Sequence, residues 1–341
     1  MPQSVTEPVL QIKNLRTHFF TDQGVVPAVD GVDLEVYPGQ TLGVVGESGC
    51  GKSVTGMSAM RLVAPPGRIV DGEILLRGEN LLKLSEVEMS HRRGKDLGMI
   101  FQEPMTSLDP LYPICDPLME AVQAHRKEKM PKADAMAEAV RLLASVGIPD
   151  PERRARSYPH EMSGGMRQRI MIAVALSCRP AVLIADEPTT ALDVTVQAQI
   201  LSLLRDLQSE TGTGILMITH NLGLVAENCH TVAVMYAGKV VEKASVQDIF
   251  KRPRHPYTQG LLRAVPRLDH PAKQPLPTIP GMVPNPLRLP VGCRFQTRCA
   301  FVTDRCRQEQ PPLEAVGTGH LAACFVQPEY TASAPAHKGG A

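Results

Sequence analysis

Residues 46–53 read Gly46-Glu47-Ser48-Gly49-Cys50-Gly51-Lys52-Ser53, and the fold follows from what stands on either side of them. The spacing is G-x-x-x-x-G-K-[ST]. Ahead lies the apolar run Thr41 to Val45, which reads as a strand; behind it a helix is expected from Lys52 to about Leu62. A glycine-rich loop between strand and helix lets the backbone wrap closely around phosphate, with its N–H groups and the helix N-terminus facing the negative charge. In this context Lys52 is expected to reach the β- and γ-phosphates of ATP, the Ser53 hydroxyl to ligate Mg²⁺, and Val54 to close the ATP-binding stretch.

A second motif supplies acids. Val182-Leu183-Ile184-Ala185-Asp186-Glu187 is an apolar strand that delivers two carboxylates at its C-terminal end, where open α/β sheets bind ligands. Asp186 is expected to hold Mg²⁺, directly or through water, and Glu187 to polarise an attacking water. Taken alone the pair is equally well a strand end with two solvated acids; downstream of a phosphate loop the catalytic reading prevails.

The rest of the chain builds around these two points. Leu10 to Val45 is strand-like, with turns at Gly24 and Pro38-Gly39; Gly98 to Phe101 is a short strand; Asp116 to Val146 is helical and rich in Ala, Glu, Lys and Met. Further strands are expected at Val182 to Ala185, Gly214 to Thr219, Thr231 to Tyr236 and Lys239 to Glu242, the last two joined at Ala237-Gly238. Helices are expected at Val194 to Ser209 and Leu222 to Asn228. Alternation of this kind implies an α/β core with a largely parallel sheet. Proline is dense from Pro266 to Pro290, which reads as an extended connector to a small C-terminal module, and the last residues, from 328 on, read as a disordered tail.

Composition excludes several classes. The net charge of +1 offers no basic surplus for nucleic-acid binding. No apolar stretch approaches the roughly 18 to 20 residues that cross a bilayer, and Met1 to Lys13 lacks the pattern of a signal peptide. A cytoplasmic location is expected, so work at a membrane requires docking on other chains.

Ser163-Gly164-Gly165-Met166, shortly before the second motif, offers another anion site: a hydroxyl, two glycine N–H groups and a helix N-terminus. It resembles the signature motif of ABC ATPases, with Met in place of the usual Gln. The resemblance extends to other positions. Gln102, after Met99-Ile100-Phe101, matches the glutamine that senses Mg²⁺ and the attacking water; Ala191-Leu192-Asp193 matches the D-loop; His220 matches the switch histidine that contacts the γ-phosphate; Phe19, with Phe20 next, is the choice for the aromatic that stacks on adenine, and both read equally well as strand core. It implies a P-loop NTPase of ABC type with a RecA-like α/β core, an N-terminal antiparallel β subdomain and a helical subdomain at about 104–178. Two such domains would sandwich two ATP molecules, each site combining one chain's phosphate loop with the other's signature. The stretch from Phe101 to Pro110, with Tyr158-Pro159-His160 and His255-Pro256-Tyr257-Thr258, is similar to the branch that imports peptides, nickel or glutathione. That branch implies a nucleotide-binding domain over 8–265 and a four-cysteine extension over 291–327. Its partners would be a second related ATPase in a heterodimer, two transmembrane permeases and, indirectly, an extracytoplasmic peptide-binding protein, placing the chain peripherally on the cytoplasmic face. A soluble ABC ATPase acting on DNA or ribosomes is the reading from another class; such proteins usually carry two cassettes or a long coiled coil, and this chain has one phosphate loop and no sustained heptads.

Of eight cysteines, Cys50, Cys115, Cys178 and Cys229 are scattered, whereas Cys293, Cys299, Cys306 and Cys324 are separated by five, six and seventeen residues near the C-terminus. Four thiolates suit a [4Fe–4S] cluster or Zn²⁺, with free thiols as the remaining reading. Zinc ligands are usually spaced more tightly, and the family resemblance implies the cluster. The role expected for it is structural or regulatory, with ATP binding at Lys52 largely independent of Cys299.

Overall fold

The computed structural model describes residues 7–102, 108–126, 128–190, 192–265 and 277–330. The strands are β1 (Leu10–Thr21), β2 (Gly24–Val36), β3 (Thr41–Val45), β4 (Gly67–Leu76), β5 (Glu79–Asn80), β6 (Leu97–Ile100), β7 (Val182–Asp186), β8 (Gly214–Thr219), β9 (Thr231–Tyr236), β10 (Lys239–Ser245), β11 (Glu314–Gly317) and β12 (His320–Ala322). The chain divides into two compact units, one of residues 1–11, 35–41 and 75–218, the other of residues 12–34, 42–74 and 219–341.

In the first unit β6, β7 and β8 run parallel, with Met99 opposite Ile184 and Asp186 opposite Ile218. Every residue of these strands is buried. Unbroken apolar runs of this kind belong to a sheet covered on both faces. The helices Cys115–Gln123, Lys132–Ser145, Pro151–Ala155 and Gly164–Leu176 fill the stretch expected to be a helical subdomain, and the Gly164–Leu176 helix packs on β6. The long helix Val194–Thr211 is capped by Asp193 and stopped by Gly212 at φ 71, the left-handed position that favours glycine.

In the second unit β3 lies parallel to β9, with Val45 opposite Val234. β9 and β10 form the expected hairpin, turning at Ala237 and Gly238 with φ of 45 and 84. Paired positive φ values match the right-handed twist of the flanking strands. β4 lies beside β1, and β1 lies beside β2. The helix after the phosphate loop is Lys52–Ala59, shorter than expected, because Arg61 takes φ 52 and cannot continue it.

The C-terminal segment, expected as a small module after a proline-rich connector, joins the sheet of the second unit. β12 pairs antiparallel with β10, Glu242 opposite Ala322, and β11 pairs with β12, so the segment extends the sheet. Phe295 within it is 3 % exposed and packs on Tyr236, His255 and Tyr257. Pro277 to Pro290 carry neither helix nor strand. The rest of the proline-rich run, residues 266–276, lies outside the described residues, as do Glu103 to Ser107, Ala191 and the tail from Thr331.

Candidate functional site

In the second unit, β3 feeds the loop and the Lys52–Ala59 helix leaves it. Gly46 and Gly51 are demanded by space as well as by conformation. A Cβ on Gly46 (φ 155) would sit 2.2 Å from the Met235 carbonyl oxygen, and one on Gly51 (φ 102) 2.2 Å from that of Ala28. The loop is thus held at its ends by close backbone approach, while Gly49 between them meets nothing within 4 Å. Lys52 is buried, and its ammonium donates to the carbonyls of Gly46 (2.9 Å) and Glu47 (3.0 Å). These bonds fold the lysine over the loop it is expected to serve. Ser53 and Val54 follow in the first helical turn. Glu47 donates its N–H to the Tyr257 hydroxyl at 2.9 Å, and its carboxylate receives the Arg298 guanidinium. Tyr257 stood in the sequence only within a resembling motif, without a role, and Arg298 was not singled out at all.

Phe19 is half-buried in β1, its ring edge against the backbone of Gly67, where an added Cβ would come within 2.6 Å of the ring. Phe20 is more exposed, with the Arg68 guanidinium 3.9 Å above its ring. His220 is exposed just after β8, and Asn221 next to it caps the Leu222–Asn228 helix.

The first unit brings Gln102 to Glu187. The Gln102 Nε2 donates to Glu187 Oε2 at 3.3 Å, and the Thr190 hydroxyl donates to the same oxygen at 2.8 Å. Thr190 is a further addition to the sequence reading. Glu187 donates its own N–H to the Ile218 carbonyl at 2.8 Å and sits at φ 48, a region that costs a non-glycine residue about 1–3 kcal/mol and recurs at functional sites. Asp186, the last residue of β7, is 4 % exposed. In the same unit Ser163 caps the Gly164–Leu176 helix, its hydroxyl accepting the Met166 N–H at 3.3 Å, and Gly165 leaves no room for a side chain, since a Cβ would lie 2.7 Å from Val196. Asp193 accepts the Val196 N–H at 2.9 Å.

The four C-terminal cysteines, spread over 32 residues of chain from Cys293 to Cys324, all line one small cavity with Phe295 among its walls. Their sulfurs also receive hydrogen bonds: the Phe301 N–H reaches Cys299 Sγ (3.4 Å), the Gln327 N–H reaches Cys324 Sγ (3.3 Å), and the Thr303 hydroxyl lies 3.2 Å from Cys306 Sγ. Burial pushes the Cys293 thiol up to about 11 and the Cys299 thiol up to about 12. No three His, Cys, Asp or Glu side chains among the described residues are grouped to hold a single metal ion. Also among the described residues, no helix is long and apolar enough to cross a membrane.

Comparison with known proteins places these features in a family. Residues 29–190 match the family described as ABC transporter, and residues 241–306 match the oligopeptide/dipeptide transporter C-terminal region. The chain is 52 % identical over 319 residues to a Sinorhizobium fredii protein named probable peptide ABC transporter ATP-binding protein y4tR, covering 93 % of this chain and 94 % of that one. It is 51 % identical over 317 residues to the oligopeptide transport ATP-binding protein OppD of Salmonella typhimurium, covering 93 % of each. Among solved structures, the dimeric post-hydrolysis state of the ATP-binding cassette MJ0796 bound to ADP and Pi aligns with a TM-score of 0.63 at 24 % identity, over 70 % of this chain and 98 % of that one, a likeness of fold. With half of its residues shared over nearly its whole length, the chain belongs to the ATP-binding proteins of ABC transporters, in their oligopeptide/dipeptide branch.

Proposed function

We propose that this chain hydrolyses ATP to power the import of di- and oligopeptides through a membrane ABC transporter. The observation that carries the reading is the match to the oligopeptide/dipeptide C-terminal region at residues 241–306, in a chain whose relatives include peptide and oligopeptide ATP-binding proteins. Import of nickel or glutathione by the same machinery is the nearest variant.

MgATP is the substrate. The loop Gly46 to Ser53 takes its phosphates, with Lys52 exchanging the carbonyls of Gly46 and Glu47 for the β- and γ-phosphates. Ser53 and Asp186 serve Mg²⁺, and Phe19 stacks on the adenine. Glu187 accepts a proton from the attacking water, oriented by Gln102 and Thr190, while His220 attends the γ-phosphate. Ser163, Gly164, Gly165 and Met166 serve the nucleotide of a second, related ATPase, and Asp193 belongs to the loop that faces it. Two permeases dock on the helical stretch at about 104–178, which keeps the complex at the cytoplasmic face of the membrane. A peptide-binding protein outside selects the cargo. In this layout residues 8–265 are the nucleotide-binding domain and 291–327 its cysteine-bearing extension.

The transporter reading is tested on the chain assembled with its permeases in lipid. A binding protein charged with short peptide should raise ATP turnover several-fold over the uncharged protein. Stimulation by nickel- or glutathione-charged protein alone would move the assignment to those cargoes, and ATPase activity that never associates with polytopic membrane proteins would sink it.

We infer further, from the family resemblance of the C-terminal cysteines, that they take a [4Fe–4S] cluster. Four cysteines converge, three of them have hydrogen-bonding groups on sulfur, and the wall is aromatic. Cys293, Cys299, Cys306 and Cys324 would hold it, and when bound it would cross-link four stretches of the extension. Protein purified without oxygen should be brown, absorb broadly near roughly 400 nm, and contain iron and acid-labile sulfide. Stoichiometric zinc without iron would replace the cluster by zinc, and absence of both would leave four thiols.

A further inference from the structure

Arg298, one residue before Cys299, is spent entirely inside the protein. Its side chain is 5 % exposed, and all of its side-chain N–H groups point at acceptors. Nη1 donates to Glu47 Oε2 (2.7 Å) and lies 3.4 Å from the Tyr236 hydroxyl; Nη2 donates to Glu47 Oε1 (2.9 Å) and the Ile279 carbonyl (3.4 Å); Nε donates to the Pro280 carbonyl (3.1 Å). The guanidinium therefore meets the Glu47 carboxylate as a fork on a fork, the strongest and most directional of side-chain ion pairs.

Glu47 is the second residue of the phosphate loop. A carboxylate there is an electrostatic liability, because the loop must receive the phosphates of ATP. Three contacts fix it: Tyr257 takes its N–H, Lys52 takes its carbonyl, and Arg298 takes its carboxylate. Of the three, Arg298 is the one that pairs with the carboxylate itself. We propose that Arg298 is a positioning residue of the ATP site, which neutralises Glu47 and holds its carboxylate away from the incoming phosphates. The proposal rests on the reading of Gly46 to Ser53 as the phosphate site. It also ties that site to the cysteine cavity, since Cys299 is the next residue and Phe295, on the cavity wall, packs edge-on against Tyr236 at 5.2 Å and against Tyr257 at 5.5 Å.

The test is a double-mutant cycle in MgATP affinity on the purified full chain, with the thermal midpoint of each nucleotide-free variant measured alongside. Arg298→Met should weaken MgATP binding about tenfold by leaving a carboxylate unpaired beside the phosphates. Adding Glu47→Gln removes that charge and should bring affinity back to within about threefold of wild type, giving the coupling a sign that lost packing cannot produce. Should Arg298→Met fail to fold, Arg298→Lys keeps one charge without the fork; it should bind more weakly than wild type, and Glu47→Gln should again restore it. Wild-type affinity in Arg298→Met overturns the proposal, and so does a double variant no better than the single. Lys52→Ala is the control on the underlying reading: unchanged MgATP affinity there would remove the phosphate site itself, whatever Arg298 does.

Discussion

Glu187→Gln keeps MgATP binding and lowers ATP turnover by about 10²–10⁴-fold, the usual cost of removing a general base. The structure explains why the change is clean. Glu187 Oε2 receives hydrogen bonds from Gln102 and Thr190, at 3.3 and 2.8 Å. A glutamine in the same rotamer can present its carbonyl oxygen to both donors, so the shape of the site survives while its basicity is lost. The backbone at φ 48 is a feature of the turn after β7, and glutamine bears the same strain as glutamate. Binding is therefore expected to match wild type, and the defect to lie in the chemical step. The measurement is single-turnover hydrolysis in an assembled complex whose partner site has also been inactivated, beside a nucleotide titration of the isolated chain. Hydrolysis near the wild-type rate would remove Glu187 from the mechanism; loss of binding in proportion to loss of turnover would make it a ligand of the substrate instead.

The loop at 46–53 was legible because its chemistry and its backbone geometry make the same demand: glycine where a Cβ would strike the Met235 or Ala28 carbonyl, and lysine and serine where the helix opens. β6 to β8 were legible because strands buried on both faces are written as unbroken apolar runs. β4 went unread because Gly67 to Leu76 shows no regular alternation, with Val70 and Asp71 both exposed and only Gly67, Ile74 and Leu76 buried. Contacts between residues distant in sequence were not legible at all. Arg298 and Glu47 are 251 residues apart, and an arginine among scattered charges gives no local sign that it is buried. Tyr257 stood in a motif noted only for its resemblance, without a role, and its hydroxyl reaches Glu47 only after the Pro256–Arg263 helix has formed. The cysteines were visible as a cluster in sequence, but their convergence on one cavity depends on the pairing of β12 with β10, which no periodicity in that short segment foretold.

Glu242→Ala should lower the free energy of unfolding by about 3–5 kcal/mol, the loss expected when a fully buried carboxylate is removed and the three groups hydrogen-bonded to it stay behind. Glu242, in β10, has no exposed surface. One carboxylate oxygen accepts the Arg254 N–H at 2.6 Å and lies 2.7 Å from His320 Nε2; the other accepts the His255 N–H at 2.9 Å. A single side chain thus fastens β12, through His320, and the entry to the Pro256–Arg263 helix, through Arg254 and His255, to the middle of β10. Burial holds the His255 imidazole down to about 4, so it stays neutral near pH 7 and adds no cation to the cluster. Alanine leaves the three groups without their acceptor, and an unsatisfied buried donor costs about 1–3 kcal/mol. Glutamine keeps the volume and one acceptor, but its amide must face at least one backbone N–H, so Glu242→Gln should lose about 1–3 kcal/mol and rank between wild type and alanine. Urea unfolding with the slope held constant measures both. Equal stability of all three proteins would mean that the carboxylate is not what joins the extension to the sheet. If the ranking holds, the alanine variant should also bind MgATP more weakly at temperatures where it is still folded, because the helix it loosens is the one that brings Tyr257 to the Glu47 N–H.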